Sequence, residues 1–224
     1  IKVKGNYEKS LIECIKQSTE NSWQIVQDVA WKDYIQVPKY TMAGYTVMMK
    51  EIVDQIKYDK ITHIILQAGV GGMAGAMVAG VARYLENIPE IIVVEPDSAA
   101  CVMESLKTGK IEKIDIKRES LMGGMSCGEV SLVPWEILKT SVKFCISLPD
   151  DDIAKTMKFL GNSSFSKEKI IAGENSAPGV ISLIASCVDN QIKEKLKLNS
   201  KSNILVIGCE GDTDKEMYKK LVNQ

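Results

Sequence analysis

The stretch THIILQAGVGGMAG, residues 62–75, begins as a short apolar segment and continues as a glycine-rich turn. Residues 62–68 are largely apolar on both faces, as in a strand buried within a parallel sheet. The glycines from Gly69 to Gly75 let consecutive backbone N–H groups converge at the start of the next helix, where the helix dipole favours an anion. The stretch therefore predicts a strand–turn–helix unit that binds a phosphate group.

Segments of the same two kinds alternate along the rest of the chain. Their order predicts an α/β fold, with a parallel sheet flanked by helices. Ligands of such sheets bind beyond the carboxyl ends of the strands, where the glycine loops 69–75 and 208–211 fall, with 123–128 and 173–179 as further loops. The other predicted strands are 22–28, 90–95, 142–148 and 203–207, and the predicted helices are 7–18, 42–58, 73–85, 135–140, 152–160, 178–189 and 215–222.

Composition excludes several classes of protein. The net charge of -1 offers no basic surface for nucleic acid, and no apolar run reaches the roughly 20 residues of a membrane span. The six cysteines are widely spaced without a CxxC pair, which indicates neither disulfides nor a metal site and favours the cytoplasm. Residues 1–4 do not resemble a signal peptide, and the absence of an initial Met favours a piece of a longer chain.

The glycine loop by itself permits two interpretations. Gly69–Ala74 fits the pattern G-x-G-x-x-A, and Glu95 follows Gly75 by 20 residues, which is the spacing of a dinucleotide site with the acidic residue on a ribose hydroxyl. Against this, a strand and two helices are predicted ahead of the loop. The other interpretation is a site for a single phosphate, in which Glu95 only ends a strand before Pro96. The spacing leaves both open.

The order of motifs along the chain resembles the diaminopropionate ammonia-lyase family. The pieces QD-x-AW and EGDTD are specific to that family, whereas the glycine loop is shared with many pyridoxal-phosphate enzymes. The matching segments cover nearly the whole chain, in the family's order: 27–31, 44–45, 67–75, 94–97, 124–129, 135–138, 160–162, 173–174 and 210–214.

The resemblance implies a fold-type-II enzyme, like threonine deaminase and the tryptophan synthase β chain, with pyridoxal 5'-phosphate (PLP) as cofactor. It also implies an amino-acid substrate, 2,3-diaminopropionate, which is cleaved to pyruvate and ammonia by a homodimer.

Roles of single residues follow from the same resemblance. Asp28 corresponds to an aspartate that transfers a proton, although an aspartate that caps a turn is the alternative. Cys209 takes the place of the side chain beside the pyridine nitrogen, with a buried structural cysteine as the alternative. The cofactor phosphate is expected on the backbone N–H groups of Gly69, Val70, Gly71, Gly72, Met73 and Ala74.

Two further loops are assigned by resemblance. Ser126, Cys127, Gly128 and Glu129 are similar to a loop near the cofactor and substrate, and Glu174 is expected near the cofactor ring. The chain departs from the family at three places. GEPN reads Gly128-Glu129-Val130-Ser131, GESGA reads Gly173-Glu174-Asn175-Ser176-Ala177, and Gly208-Cys209 replaces Ser-Thr before EGDTD.

The resemblance places the lysine that holds the cofactor upstream of the matching segments. The motif SFSK at 164–167 is superficially similar to a lysine motif, but we interpret Lys167 as a solvated loop residue. We therefore expect residues 1–38 to end a small domain, residues 39–224 to belong to the large PLP-binding domain, with a crossing at 36–40, and the chain alone to be inactive. Three alternatives stay open: an NAD-dependent oxidoreductase, a non-catalytic remnant that binds a partner, and serine or threonine as substrate.

Overall fold

Four parallel strands form a sheet of order β3-β2-β1-β4 in a computed structural model that describes residues 1–5, 7–56, 60–162 and 166–223. Strand β1 (His63–Gln67) pairs with β2 (Glu90–Pro96) on one side and with β4 (Ile204–Val206) on the other, and β3 (Phe144–Leu148) pairs with β2. Because β1 and β2 are central and parallel, both of their faces are buried, which explains their nearly continuous apolar sequences.

Helices connect the strands and cover the sheet. Their bounds are α1 Tyr7–Asn21, α2 Gln36–Ile56, α3 Gly72–Tyr84, α4 Cys101–Thr108, α5 Leu132–Ser141, α6 Ile153–Gly161, α7 Ala177–Val188, α8 Asn190–Lys195 and α9 Lys215–Val222.

Alternate strand residues build two cores, one on each face of the sheet. Ile64 and Leu66 point to the face covered by α2, α3, α4 and α5, whereas Ile65 points to the face covered by α7 and α8. Helices α2 and α3 pack closely because Gly80 has no side chain. A Cβ built on Gly80 would lie 2.6 Å from the Cβ of Met49.

Four of the five predicted strands are confirmed, but the prediction for residues 22–28 is wrong. This segment is irregular, with Trp23 and Val26 mostly exposed. Its backbone bonds to the hydroxyl of Tyr34, which accepts from the N–H of Gln27 at 3.0 Å and donates to the carbonyl of Ile25 at 2.9 Å. An apolar composition indicated a strand, yet the local tyrosine supplies the hydrogen bonds that a neighbouring strand would give.

The predicted helices are confirmed, α9 with the predicted bounds and the others with shifted ends, whereas helices α4 and α8 were not predicted. Helix α2 begins at Gln36, so the stretch 36–40, the predicted crossing between the two domains, is the first turn of this helix. Pro38 is compatible with this turn because the first N–H groups of a helix have no intrahelical acceptor. The predicted end of this helix, Tyr58, lies outside the described residues. Among the residues described, no helix has the length and apolar character needed to cross a bilayer.

Candidate functional site

A cleft of about 560 Å³ opens at the carboxyl ends of the strands. All four glycine loops predicted to surround a ligand contribute to it, as does the segment before α2. The lining residues are Asp28, Tyr45, Gln67, Ala68, Gly69, Val70, Gly71, Gly72, Met73, Gly124, Met125, Asn175, Cys209, Glu210, Gly211 and Thr213.

The floor of the cleft is the turn between β1 and α3. Gly71 is the N-cap of α3 with φ of 88°, a left-handed conformation that favours glycine. The three N–H groups that follow it, those of Gly72, Met73 and Ala74, have no intrahelical acceptor, because the first intrahelical bond runs from the Gly75 N–H to the Gly71 carbonyl. No side chain caps this helix. A Cβ on Gly72 would meet nothing within 4 Å, so open space lies above the helix N-terminus. Backbone donors, helix dipole and open space together fit a phosphate group.

Close packing behind the turn explains two of its glycines. A Cβ on Gly69 would lie 3.0 Å from both the sulfur of Cys127 and the carbonyl oxygen of Gly124, and one on Gly71 would lie 2.9 Å from Leu138 Cδ1. The side chain of Ala74 is fully buried on α3, so this residue can offer a ligand only its backbone N–H. The turn is held in place by contacts that exclude side chains.

Asp28 stands on one wall of the cleft, and Ser131 joins this wall to the floor. The Ser131 hydroxyl accepts from the N–H of Ala30 at 2.7 Å, while its own N–H donates to the carbonyl of Val70 at 2.9 Å. Ser131 occupies the N-cap of α5 without making a side-chain capping bond. Ser131 therefore joins the segment of Asp28 to the glycine turn of the floor, although the two are far apart in sequence.

Tyr7 and Cys127 lie behind Asp28. Burial raises the pKa of Tyr7 to about 12, with a further contribution from the Asp28 carboxylate. Burial likewise raises the pKa of Cys127 to about 11, assisted by Glu8. Both groups are therefore protonated and neutral at physiological pH, and Asp28 is the carboxylate on this side that lines the cleft.

Another wall of the cleft is formed by Cys209 and the side chains around it. The amide of Gln67 donates to the carbonyl of Ile207 at 2.6 Å and contacts the Cys209 sulfur at 3.6 Å. Part of Cys209 is open to solvent, but the protein atoms around the thiol raise its pKa above the ordinary value, chiefly by burial. The thiol is thus a neutral group at the edge of the cleft.

The structure brings Asp28, Cys209 and the turn residues Gly69–Met73 together, but it places the other predicted loop residues outside the lining. Ser126 is buried and donates to Glu119 at 2.9 Å, and Cys127 and Gly128 are also buried. Glu129 is exposed and Glu174 is partly buried, and neither lines the cleft.

Other residues, which were not predicted to belong to the site, also line the cleft. They were missed because the loops were identified by motif and not by orientation, and they are Tyr45, Gln67, Ala68, Gly124, Met125, Asn175, Glu210, Gly211 and Thr213. Their signal in the sequence is that all but Tyr45 belong to, or adjoin, the predicted glycine loops.

Glu95 excludes the dinucleotide interpretation of the glycine loop. Its side chain is fully buried, and its two carboxylate oxygens accept from the N–H groups of Val102 and Met103, each at 2.8 Å. Burial raises the pKa of Glu95 to about 7, opposed by these two bonds. Because both oxygens serve the first turn of α4, neither reaches a ribose hydroxyl in the cleft.

The lining drawn from the described residues contains neither lysine nor arginine. Lys167 is exposed, and the preceding Ser164 and Phe165 of the SFSK motif lie outside the described residues. Asp28 and Glu210 are the carboxylates of the lining. The cleft therefore offers backbone donors, carboxylates and a thiol.

A comparison with protein families finds one matching model over residues 1–210, described as "Pyridoxal-phosphate dependent enzyme". Among curated proteins, the diaminopropionate ammonia-lyase of Escherichia coli K12 is 37% identical over 227 residues, covering 97% of this chain and 56% of that protein. The chain thus spans about half the length of the curated relatives it matches.

Solved structures agree with this result. The E. coli diaminopropionate ammonia-lyase in complex with an aminoacrylate-PLP azomethine reaction intermediate superposes with a TM-score of 0.88 at 36% identity, covering 99% of this chain and 58% of that one. Threonine deaminase isoform 2 of Solanum lycopersicum gives 0.76 at 18% identity, covering 97% and 57%, which supports the fold alone. The expected α/β fold of type-II enzymes is confirmed.

Proposed function

Because this chain belongs to the pyridoxal-phosphate dependent enzymes, we propose that it supplies the cofactor-binding cleft of an ammonia-lyase that eliminates ammonia from 2,3-diaminopropionate. The observation that carries the proposal is the cleft itself, which sets an anion-binding turn, a carboxylate and a neutral thiol around one space. The similarity to the E. coli ammonia-lyase supports the choice of substrate. Serine or threonine is the alternative substrate.

The floor would hold the cofactor phosphate. The N–H groups of Gly72, Met73 and Ala74 begin α3 and have no intrahelical acceptors, so an anion there would satisfy them and interact with the helix dipole. The turn residues Gly69, Val70 and Gly71 would add donors along one side.

Cys209 would face the ring nitrogen. PLP, when bound, withdraws electrons from the substrate's α-carbon and so makes the α-proton acidic. A protonated thiol does not transfer its proton to the ring nitrogen as a carboxylic acid would, and we expect this weaker partner to favour elimination over amino-group transfer.

Asp28 would transfer the proton at the α-carbon. It lines the same cleft as Cys209, and the bond between Ala30 and Ser131 holds its segment against the floor. Asp28 is one of the two carboxylates of the described lining, and the other, Glu210, already accepts two hydrogen bonds from Asn175.

The complete reaction also needs a lysine that links the cofactor, and the described lining supplies none. We propose that this lysine comes from a part of the full-length protein outside these residues, that residues 1–38 end its small domain and that residues 39–224 belong to its large domain. We further propose a homodimer located in the cytoplasm.

Cofactor binding tests the proposal directly. Titration of the 224-residue chain with PLP, followed by tryptophan fluorescence, should show saturable binding that NADH does not reproduce. Gly72→Asp places a carboxylate in the open space at the start of α3, and repulsion of the phosphate should weaken binding by about tenfold or more. Gly123→Asp is the matched control, because a Cβ there also meets nothing within 4 Å yet Gly123 does not line the cleft. Equal binding by both variants, or binding of NADH in preference to PLP, would refute the assignment.

The reaction is tested in the full-length protein that carries the linking lysine. Release of the 2-oxo acid, which is pyruvate from 2,3-diaminopropionate or serine and 2-oxobutyrate from threonine, should be fastest from 2,3-diaminopropionate. Asp28→Asn should lower the turnover of at least one diaminopropionate enantiomer. Faster release from serine or threonine would show a dehydratase instead.

A further inference from the structure

Asn175 connects three of the loops that surround the cleft. Its side-chain oxygen accepts from the N–H of Gly124 at 3.0 Å, and its side-chain nitrogen donates to the Glu210 carboxylate at 2.8 Å. Its backbone N–H donates to the same Glu210 oxygen at 2.9 Å, and its carbonyl accepts from Gln67 at 3.1 Å. One residue thereby joins the Gly124 turn, the loop after β4 and the end of β1.

The two side-chain bonds of Asn175 require a carboxamide. A group at this position must accept a hydrogen bond from a backbone N–H and at the same time donate one to a carboxylate. Aspartate would accept twice and repel Glu210, and alanine would do neither. Asn175 also stands where the GESGA motif of the resembling family has Ser, so the bridge is not part of that motif.

The bridge adjoins the thiol wall, which is the part of the cleft formed by Cys209 and the side chains around it. Glu210 follows Cys209 in the chain, and the Cys209 sulfur is 3.9 Å from the Asn175 carbonyl. Gly124, on the other side of the bridge, packs against the floor, since its carbonyl oxygen would be 3.0 Å from a Cβ on Gly69. Asn175 therefore links the thiol wall to the Gly124 turn that packs against the floor.

We infer that Asn175 is a positioning residue that pre-forms the cleft, by holding the Glu210 carboxylate and the Gly124 turn at a fixed separation. The inference rests on the proposed function for the identity of the ligand, PLP. The bridge itself does not depend on that ligand, so it has a readout of its own.

Three variants of the 224-residue chain test the bridge: Asn175→Asp, Asn175→Ala and the charge-conserving pair Asn175→Asp with Glu210→Gln. In the pair, the new carboxylate at position 175 would accept from the Gly124 N–H and from the new amide at position 210, which restores both links with donor and acceptor exchanged. The first readout is hydrogen exchange at the Gly124 N–H. Exchange should be at least about tenfold faster in both single variants, because Asn175→Ala removes the acceptor of the Gly124 N–H and Asn175→Asp displaces it by repulsion from Glu210. In the pair, exchange should return to within about threefold of the wild-type rate.

The second readout is the dissociation constant for PLP, measured by fluorescence titration. It should rise about tenfold in Asn175→Asp and recover in the pair, whose net charge equals that of the wild type. Unchanged exchange at Gly124 in all variants would overturn the inference. So would a pair that binds PLP no better than Asn175→Asp, because a loss caused only by altered packing is not rescued by exchanging partners. If the wild type itself does not bind PLP, the proposed function fails, while the exchange pattern still decides whether Asn175 holds the cleft.

Discussion

Replacement of Ser131 by alanine should destabilise the fold through a single lost hydrogen bond. Ala30 is almost fully buried, and its N–H donates to the Ser131 hydroxyl at 2.7 Å. Without the hydroxyl this donor stays buried and unpaired, which costs about 1–3 kcal/mol. No capping bond is lost in addition, because the Ser131 side chain does not cap α5, and the backbone bond to Val70 is kept.

The measurement is urea unfolding of Ser131→Ala beside Ser186→Ala. Ser186 is as buried as Ser131, but its hydroxyl has no hydrogen-bond partner among the described residues. The first variant should unfold at lower urea with an unchanged slope, whereas the control should stay within about 0.5 kcal/mol of the wild type or be more stable. Hydrogen exchange at Ala30 should accelerate only in Ser131→Ala. Equal stability of the two variants would refute the assignment of this bond.

Three further predictions concern burial and close packing. The pKa of Glu95 is raised from 4.5 to about 7, so between these pH values the native state holds a proton on Glu95 that the unfolded state has released. This proton stabilises the native state fully below about pH 4.5, and the stabilisation is lost as pH rises through about 7. Urea unfolding across this window should show that the free energy of unfolding of the wild type falls by on the order of 3 kcal/mol, and that Glu95→Gln lacks this fall. Parallel pH profiles of the two proteins would contradict the prediction. Gly71→Ala should cost about 1–3 kcal/mol and weaken PLP binding, since the positive φ and the contact with Leu138 both oppose a Cβ, and an unchanged melting temperature would count against this. Gly80→Ala should cost a similar amount by pushing α2 away at Met49 but leave PLP affinity within about threefold, as thermal melting and titration would establish.

The sequence alone was sufficient to predict those strands, helices and turns that local patterns specify. The apolar run of β1, the glycines that follow it and the alternation of strands with helices were sufficient for the α/β fold, because a parallel strand buried on both faces and a glycine turn before a helix leave local marks. The order of motifs was sufficient for the resemblance to the ammonia-lyases. Asp28, Cys209 and the turn residues Gly69–Met73 were placed in one cleft by that resemblance, and the structure brings them together.

Local patterns failed where a hydrogen-bond partner outside the pattern decides the outcome. The apolar segment at 22–28 is not a strand because Tyr34 takes up its hydrogen bonds, and Glu95 is not a ribose ligand because the first turn of α4 occupies both of its oxygens.

Only the tertiary structure decided which members of each loop line the cleft. Ser126 and Glu174 were assigned to the site, whereas Asn175 and Glu210 line it, since a motif identifies a loop but the contacts between loops set the direction of each side chain. The links that hold the walls to the floor, through Ser131 and Asn175, join residues far apart in the chain, and no spacing in the sequence encodes a hydrogen bond between such residues.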